Sequence, residues 1–416
     1  MDEKAGGGSQ DMANPLQARR SAKKEGCQLW QNESFPKVFL MRTEITDRYY
    51  RVYTGQDVDR VPDIEFGYWP QTIRRWQSEG LVKEIELTLD ESTSCFPQRL
   101  DLHLGFEPEG FCIWPDTQMY PKFEEQIIEK KESSVIMRGA DGCISERYLS
   151  DSDDSSIPHT ISSPVETPAD WEQLKERYDL DHPERLFPYP EDRLAEARKA
   201  VADGKMIKCF IVGMYAQLRN WMGVENLSLA FYDYPEMIRD MMATWTNLIV
   251  VQIEAYPQDI PVDMMDWWED MAGKNGPLVS PSMFHEVMLP GYQRIMDAAR
   301  KRGCALGIVD SDGDPSALVN DWMSVGVNIM FPLEVAAGCD AVEWRERFGP
   351  DMCIRGALDK RAVPLGKEAI LKEFERIRPA YEQGKFIPHL DHLVPPDISL
   401  DQYRRYLDIK REFIGK

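Results

Sequence analysis

The chain has 416 residues, of which 43% are hydrophobic and 29% are charged, a composition typical of a globular protein with a large core. Its 49 basic and 71 acidic residues give a net charge of −22, which disfavours phosphate backbones and anionic lipid headgroups as partners. We therefore expect neither a nucleic-acid-binding protein nor a membrane-surface protein.

The cysteines and the first residues bear on the compartment. The eight cysteines are scattered, and no two of them form the C-x-x-C pair of a zinc ribbon or a redox motif. The start, M-D-E-K-A-G-G-G-S-Q, has no apolar stretch of the kind that a secretory signal needs, and no run of about 18 apolar residues occurs. These features predict a cytoplasmic protein with reduced thiols and no spanning helix.

Two stretches have a composition unlike the rest of the chain. Residues 1–34 are rich in Gly, Gln, Lys and Glu, and we predict a mobile tail there. Residues 139–170 contain D-S-D-D-S-S and three prolines, a composition typical of a long surface loop. The remainder, 35–416, is predicted to be one domain.

Short apolar runs alternate with longer amphipathic segments along this domain. Helical spacing is clearest over 235–256, which has a proline in its first turn, over 282–302 before Gly303, and over 368–383 before Gly384. The predicted strands are 61–66, 100–104, 134–137, 207–212, 262–267, 305–309, 327–331, 352–355 and 385–390.

Strands that alternate with helices are typical of a parallel sheet with crossovers of one hand. About eight such units in one chain favour a single, distorted α/β barrel of the (β/α)₈ TIM type over an open sheet. No G-x-G-x-x-G follows the first strand, which argues against a dinucleotide-binding fold. In a (β/α)₈ barrel the chemistry lies at the C-terminal ends of the strands.

The strongest candidate site follows the run C-A-L-G-I-V. Asp310 and Asp312 are two residues apart, so on an extended chain both point into the barrel mouth, where they could bind a metal, share a proton or hold a ligand. Asp314 also fits a calcium loop, but Pro315 stands where such a loop needs Gly. We interpret Asp314 as a helix cap.

Polar side chains at other strand ends complete the candidate site. His389 and His392 flank Asp391 after the last predicted strand, and we favour His392 as the functional histidine, with the other one packed in the core. Glu269 follows two tryptophans, whose surroundings would raise its pKa and suit a general acid, although helix capping explains it equally well.

Further candidates would contact substrate. Lys274 and Asn275 could hold an anionic group, and Arg355 could contact ligand or bridge Asp359. Glu65, Tyr68 and Trp69 come from P-D-I-E-F-G-Y-W at the end of the first predicted strand. We predict that one cavity gathers the acidic and imidazole groups Glu65, Glu269, Asp310, Asp312 and His392, with Glu269, Asp312 and His392 as the catalytic residues.

Several blocks together resemble the uroporphyrinogen decarboxylase (URO-D) superfamily, which includes cobalamin-dependent methyltransferases acting on coenzyme M. The resemblance runs from about residue 51 to the C-terminus and implies a distorted (β/α)₈ barrel with a deep mouth. In chain order the blocks are D-R-V-P (59–62), I-V-G-M-Y-A-Q-L-R-N-W-M-G-V-E-N-L (211–227), Y-P-E-M-I (234–238), E-D-M-A-G-K-N-G-P-L-V-S-P-S-M-F (269–284) and L-D-H-L-V-P-P-D (390–397).

The resemblance also implies roles for three residues. His392 matches the C-terminal catalytic histidine of the decarboxylases. Asp310 and Asp312 stand where the methyltransferases have an H-x-C zinc pair, and His392 stands where they have a late cysteine. The implied metal ligands are therefore Asp310, Asp312 and His392, with zinc as the first candidate and manganese, iron or magnesium as others that suit carboxylates.

The decarboxylase branch fits less well at the first strand. Its R-Q-A-G-R-type segment, which clamps an anionic tetrapyrrole, is replaced here by P-D-I-E-F-G-Y-W, in which Glu65 would repel that substrate. We predict metal-assisted methyl transfer that involves a corrinoid carrier, with a small-molecule substrate, a corrinoid protein and a second copy of the chain as candidate partners. The alternatives are decarboxylation of a carboxylated tetrapyrrole and a non-catalytic barrel that only binds a tetrapyrrole.

Overall fold

A computed structural model describes residues 42–149, 159–187 and 189–416. The tail predicted over 1–34 and part of the loop predicted over 139–170 lie outside the described residues. Within the described residues, no helix is long and apolar enough to cross a membrane.

The strands form one large parallel sheet and two small antiparallel ones. In chain order they are β1 (Phe111–Ile113), β2 (Gln126–Lys130), β3 (Ser134–Arg138), β4 (Ile144–Tyr148), β5 (His159–Ser162), β6 (Ile207–Val212), β7 (Met264–Trp268), β8 (Ala272–Gly273), β9 (Gly276–Pro277), β10 (Leu306–Asp310), β11 (Ile329–Phe331), β12 (Cys353–Leu358) and β13 (Phe386–Leu390).

Helices connect most of these strands. They are Glu44–Thr54, Pro70–Ser78, Leu89–Thr93, Gln98–His103, Pro168–Lys175, Glu191–Ala202, Met214–Met222, Val224–Asp233, Pro235–Ala255, Pro281–Met283, Leu289–Arg300, Val319–Ser324, Ala341–Phe348, Lys367–Tyr381 and Leu400–Ile414. A π-helical turn, Phe284–Met288, joins Pro281–Met283 to Leu289–Arg300. The three helices with the clearest sequence periodicity are thus confirmed. Gly384, in the turn between helix Lys367–Tyr381 and β13, has a φ of +79°.

The large sheet has the order β1-β6-β7-β10-β11-β12-β13 and is parallel throughout. The segment 61–68 completes the barrel between its two edges. On one side, Tyr68 forms a parallel bridge with Val394, which follows β13. On the other side, the Glu107 N–H donates to the Asp63 carbonyl over 2.8 Å, shortly before β1. The predicted α/β barrel with a parallel central sheet is confirmed.

An apolar cluster fills the N-terminal end of the barrel. Tyr49 and Tyr53 of helix Glu44–Thr54 pack there with strand residues such as Met264, Ile308 and Ile387, all of them buried. Because this end is closed by side chains, the C-terminal ends of the strands are left to build a site.

Two of the predicted strands, 61–66 and 100–104, are not strands in the structure. Residues 100–104 lie in helix Gln98–His103, where Leu100 and Leu104 are buried and Leu102 is exposed. The three leucines mimic strand alternation, but positions four apart also share one face of a helix. Residues 61–66 are extended without a ladder, and only the bridge at Tyr68 joins this segment to the sheet.

The region before β6 also differs from prediction. The run 134–137 is a strand, β3, but it belongs to a separate antiparallel sheet of order β2-β3-β4-β5. This sheet includes β4 and β5 and therefore takes up part of the predicted loop over 139–170. Strand β1 was missed because F-C-I is only three residues long, too short for a periodic signal.

Candidate active site

Three aspartates meet at the C-terminal ends of two neighbouring strands. Carboxylate oxygens of Asp270, Asp310 and Asp312 all lie within 4.8 Å of one another. Asp310 ends β10 and is in register with Trp268, the last residue of β7. Asp270 follows two residues later, so the parallel pairing of β7 with β10 brings the three carboxylates to one edge of the barrel.

The backbone around Asp270 is held in a left-handed conformation, with a φ of +44°. The Glu269 N–H donates to the Asp310 carbonyl over 2.8 Å. Arg219 donates from Nη1 to the Asp270 carbonyl over 2.7 Å, and its guanidinium lies over the Trp268 ring at 5.4 Å. These contacts fix the turn after β7 and point the Asp270 side chain toward the other two aspartates.

The acidic cluster is only partly compensated, by Arg219, whose Nη2 lies 3.9 Å from Asp270 Oδ2. Burial raises the pKa of Asp310 well above its usual value, and the charges of Asp270 and Asp312 raise it further. The pKa of Asp270 is raised by burial and by Asp312, against the opposing effect of Arg219. Among the described residues, no group donates a hydrogen bond to the Asp310 carboxylate, and Asp312 Oδ1 is buried without a partner. A cation is the ligand that this arrangement would stabilise.

His392 lies beside the cluster. Its Nε2 is 3.1 Å from Asp312 Oδ2, its ring stacks on Trp69 at 5.8 Å, and Phe66 contacts it edge-on at 5.5 Å. Burial lowers the pKa of His392, but the hydrogen bond to Asp312 and its charge outweigh burial and raise that pKa above the usual value. His392 is thus a partner of one aspartate, and the group of mutually close oxygens does not include it.

A charge-balanced layer lies inside the barrel, on residues that alternate inward along the strands. Lys208 of β6 pairs with Glu109 at 2.5 Å and with Asp266 of β7 at 2.9 Å. Arg355 of β12 donates from Nη1 to Glu109 over 2.9 Å. Two cations and two carboxylates therefore compensate one another, and this layer does not neutralise the three aspartates.

The structure thus brings together Asp310, Asp312, His392 and Trp69, as predicted for the mouth. From the sequence alone Glu269 is singled out, and its neighbour Asp270 is not named as a ligand. The sequence does contain a signal for Asp270, namely its distance from the end of a strand. Asp270 lies two residues past the end of β7, just as Asp312 lies two residues past the end of β10.

Glu269 is placed elsewhere. Its carboxylate accepts hydrogen bonds from the backbone N–H groups of Met214 (2.7 Å), Tyr215 (2.9 Å) and Ala216 (3.1 Å) at the start of helix Met214–Met222, and from the Tyr292 hydroxyl. Burial raises its pKa to about 7, as expected in direction. Glu269 caps a helix and does not face the acidic cluster, which corrects its assignment as general acid.

Glu65 and Tyr68 also point away from the mouth. Glu65 is buried against the last helix, where Lys410 Nζ lies 2.6 Å from Oε1 and the Tyr406 hydroxyl donates over 2.7 Å. The Tyr68 hydroxyl donates to Asp101 over 2.9 Å in the same outer layer. The predicted convergence of Glu65 with the aspartates is therefore wrong, because alternation along the extended segment sends Phe66 inward and Glu65 outward.

The other predicted substrate contacts are dispersed. Arg355 pairs with Glu109 and not with Asp359, whose carboxylate binds Arg361 at 2.8 Å and caps a short turn. Lys274 and Asn275 are exposed at the tip of the β8–β9 hairpin. Asp314 accepts from the Ser316 N–H over 3.0 Å, as a capping residue does.

Comparison with known proteins gives consistent results. A family model described as uroporphyrinogen decarboxylase (URO-D) matches residues 151–413. The chloroplastic uroporphyrinogen decarboxylase of Nicotiana tabacum is 20% identical over 260 residues, which are 60% of this chain and 63% of that protein. The uroporphyrinogen decarboxylase of Jannaschia sp. (strain CCS1) is 33% identical over 79 residues, 19% of this chain and 23% of that protein. The chain thus spans less than two thirds of these relatives.

A solved structure described as a methyltransferase from Methanosarcina mazei is similar over nearly the whole chain. The match has a TM-score of 0.54 and 14% identity, and it covers 89% of this chain and 98% of that one. At this identity the similarity establishes a shared fold.

Proposed function

The chain belongs to the uroporphyrinogen decarboxylase (URO-D) family, whose members are enzymes, and on that premise we propose that it catalyses a metal-assisted methyl transfer at the barrel mouth. The observation that supports this proposal is the cluster of Asp270, Asp310 and Asp312, whose carboxylate oxygens lie within 4.8 Å of one another. Their position at the C-terminal ends of β7 and β10 is where barrel enzymes build their active sites.

The residues of the cluster fit a divalent cation. Three close carboxylates, one of them without a hydrogen-bond donor among the described residues, form an all-oxygen donor set that suits manganese, magnesium or iron better than a thiolate-bound zinc site. When bound, such a cation supplies Lewis-acid polarisation and lowers the pKa of a coordinated acceptor. The holding residues would be Asp270, Asp310 and Asp312.

His392 is the side chain placed to move a proton at this site. Its ring is partly exposed toward the mouth, and its Nε2 is held by Asp312 at 3.1 Å. Trp69 covers one face of the imidazole and limits the access of water to it. We therefore assign to His392 the transfer of the acceptor's proton, with Asp312 orienting the ring. The corrinoid carrier as methyl donor rests on the family resemblance alone.

Decarboxylation is the second candidate, and the names of the curated relatives favour it. On that alternative, His392 and the aspartates would act as acid and base without a metal. Residues 62–69 argue against decarboxylation. They contain no arginine, and the carboxylate of Glu65 is buried in an ion pair with Lys410. This stretch therefore offers no clamp for an anionic tetrapyrrole. A tetrapyrrole-binding barrel without activity is the third candidate.

Metal analysis of purified protein tests the proposal. We expect one divalent metal per chain in the wild type and in Asp314→Asn, and a steep loss of metal in Asp310→Asn, which keeps the shape and removes a charge. Asp314 is the matched control because it only caps a turn, worth about 0–1 kcal/mol. Equal metal content in wild type and Asp310→Asn contradicts the metal site. Turnover of uroporphyrinogen by metal-free protein would support decarboxylation. A bound chromophore without turnover would support a barrel that binds a tetrapyrrole without activity.

A further inference from the structure

His389 presents an unused acceptor inside the barrel. The side chain is completely buried on β13, and its Nδ1 lies 2.7 Å from the Leu390 carbonyl oxygen. Because a carbonyl oxygen only accepts, Nδ1 must carry the proton. In the neutral ring, Nε2 is then an unprotonated nitrogen with a free lone pair.

Nε2 of His389 is buried, and no donor reaches it among the residues that the structure describes. A buried acceptor without a partner is costly, so native proteins supply such atoms with a donor from protein, water or ligand. The adjacent Asp391 is not a partner of His389, because its carboxylate accepts from the Val335 N–H (2.9 Å) and the Lys360 N–H (3.1 Å).

The side chains around His389 bear on whether a charged or a neutral hydrogen-bond donor fits its Nε2. Its ring packs edge-on against Phe331 at 5.5 Å, and the Arg355 guanidinium lies over the same Phe331 ring at 4.8 Å. The nearest carboxylates are already paired, Glu109 with Arg355 at 2.9 Å and Glu65 with Lys410 at 2.6 Å. Among the described residues no carboxylate bonds to the imidazole, so a metal ion or an ammonium group has no counter-charge there, and a neutral donor is favoured.

Arg355 contributes a second unpaired atom. Its Nε is buried and has no acceptor among the described residues, although Nη1 binds Glu109. A group that complements both atoms must donate to an imidazole nitrogen and accept from a guanidinium N–H. A hydroxyl group does both with one oxygen atom, whereas an ammonium group has no acceptor.

This position adjoins the acidic cluster. Phe331 is in register with Asp310 on the neighbouring strand β10. The Phe331 ring in turn packs on His389 at 5.5 Å, so Phe331 adjoins both places. A ligand held by the aspartates therefore lies beside the ring that packs on His389.

We propose that His389 Nε2 accepts a hydrogen bond from a hydroxyl group of the substrate, so that the substrate of the mouth site is an alcohol or phenol in class. This inference rests on the proposed function in so far as it names the substrate of the same site. His389 thereby becomes a specificity-determining residue.

Ring-¹⁵N-histidine NMR of the full chain, freed of metal with a chelator, tests the proposal. The chain has six histidines, and His389→Gln assigns the resonance of interest. We expect an unprotonated Nε2 signal that shifts saturably on titration with methanol, propanol or phenol. Methylammonium, the charged control, should leave it in place. The exposed His285, paired with Asp321 at 3.0 Å, provides the matched variant His285→Gln, in which the alcohol-induced shift persists.

Three results would overturn the assignment. A His389 signal that is hydrogen-bonded but indifferent to every alcohol indicates a resident water only. An Nε2 that carries the proton contradicts the tautomer, and an equal response to methylammonium contradicts the neutral class. Because the measurement uses metal-free protein and no turnover, its failure is separate from failure of the metal site, which Asp310→Asn tests.

Discussion

Arg355 and Glu109 form an ion pair at the centre of the barrel, with Nη1 2.9 Å from Oε1 and both side chains almost completely buried. Arg355→Met leaves Glu109 with less compensation in a place that water does not reach. We expect a loss of about 3–5 kcal/mol in the free energy of unfolding, measured by urea denaturation. Arg361→Met is the control, because its pair with Asp359 is exposed on the arginine side and is worth about 0–1 kcal/mol. Equal effects of the two substitutions would contradict this account.

The same pair predicts how stability depends on pH. Burial alone would raise the pKa of Glu109, but Arg355 and Lys208 outweigh it and lower that pKa from 4.5 to about 2. A carboxyl group whose pKa is lower in the folded state stabilises the fold above its unfolded pKa and ceases to do so as the pH falls through the folded value. We expect a loss on the order of 3 kcal/mol from this group between about pH 4.5 and pH 2.

Urea unfolding of wild type and Glu109→Gln at pH 6, 4 and 3 measures this effect. Glu109→Gln should be less stable at pH 6 and should lose less of its stability on acidification. Parallel pH profiles for the two proteins would show that Glu109 is not the titrating group.

Gly213 leaves room for the Glu269 carboxylate. A Cβ at position 213 would lie 2.1 Å from Glu269 Cδ, so Gly213→Ala must displace the cap of helix Met214–Met222. We expect a loss of about 1–3 kcal/mol in the free energy of unfolding. Gly273→Ala, which would meet nothing within 4 Å, is the control and should change it by less than about 0.5 kcal/mol.

The helical placement of residues 98–103 is testable with two leucines. Leu100 is completely buried and Leu102 is 54% exposed, as a helix requires and a strand does not. We expect Leu100→Ala to cost about 2–5 kcal/mol of stability and Leu102→Ala less than about 0.5 kcal/mol. Similar losses in both variants, measured by thermal unfolding, would favour the strand.

Metal binding should stabilise the fold. A cation that binds only the folded chain adds about 2.7 kcal/mol at 100 times its dissociation constant. We therefore expect the melting temperature to rise with added manganese and to fall with a chelator, and expect Asp310→Asn to abolish this response. An Asp310→Asn protein that responds to manganese like the wild type would place the cation elsewhere.

Periodic segments could be read from the amino-acid sequence because their information is local. The helices Pro235–Ala255 and Lys367–Tyr381 and the strands β6, β7, β10, β11, β12 and β13 carry apolar residues at the spacing of their own secondary structure. Asp310, Asp312 and His392 could be predicted for the same reason, since each follows a strand whose C-terminal end opens on the barrel mouth.

Tertiary structure decided what local spacing leaves open. Leu100, Leu102 and Leu104 fit a strand and a helix equally well until packing buries the first and last of them on one face. Glu65 and Glu269 each follow apolar residues as Asp310 does, yet Lys410 and the first backbone N–H groups of helix Met214–Met222 bind these two carboxylates on the outer side of the sheet. Asp270 joins the cluster only because β7 pairs with β10 and a left-handed residue turns its side chain back. Partners distant in sequence determine which carboxylates are neutralised and which remain for a ligand, and spacing along the chain carries no information about those partners.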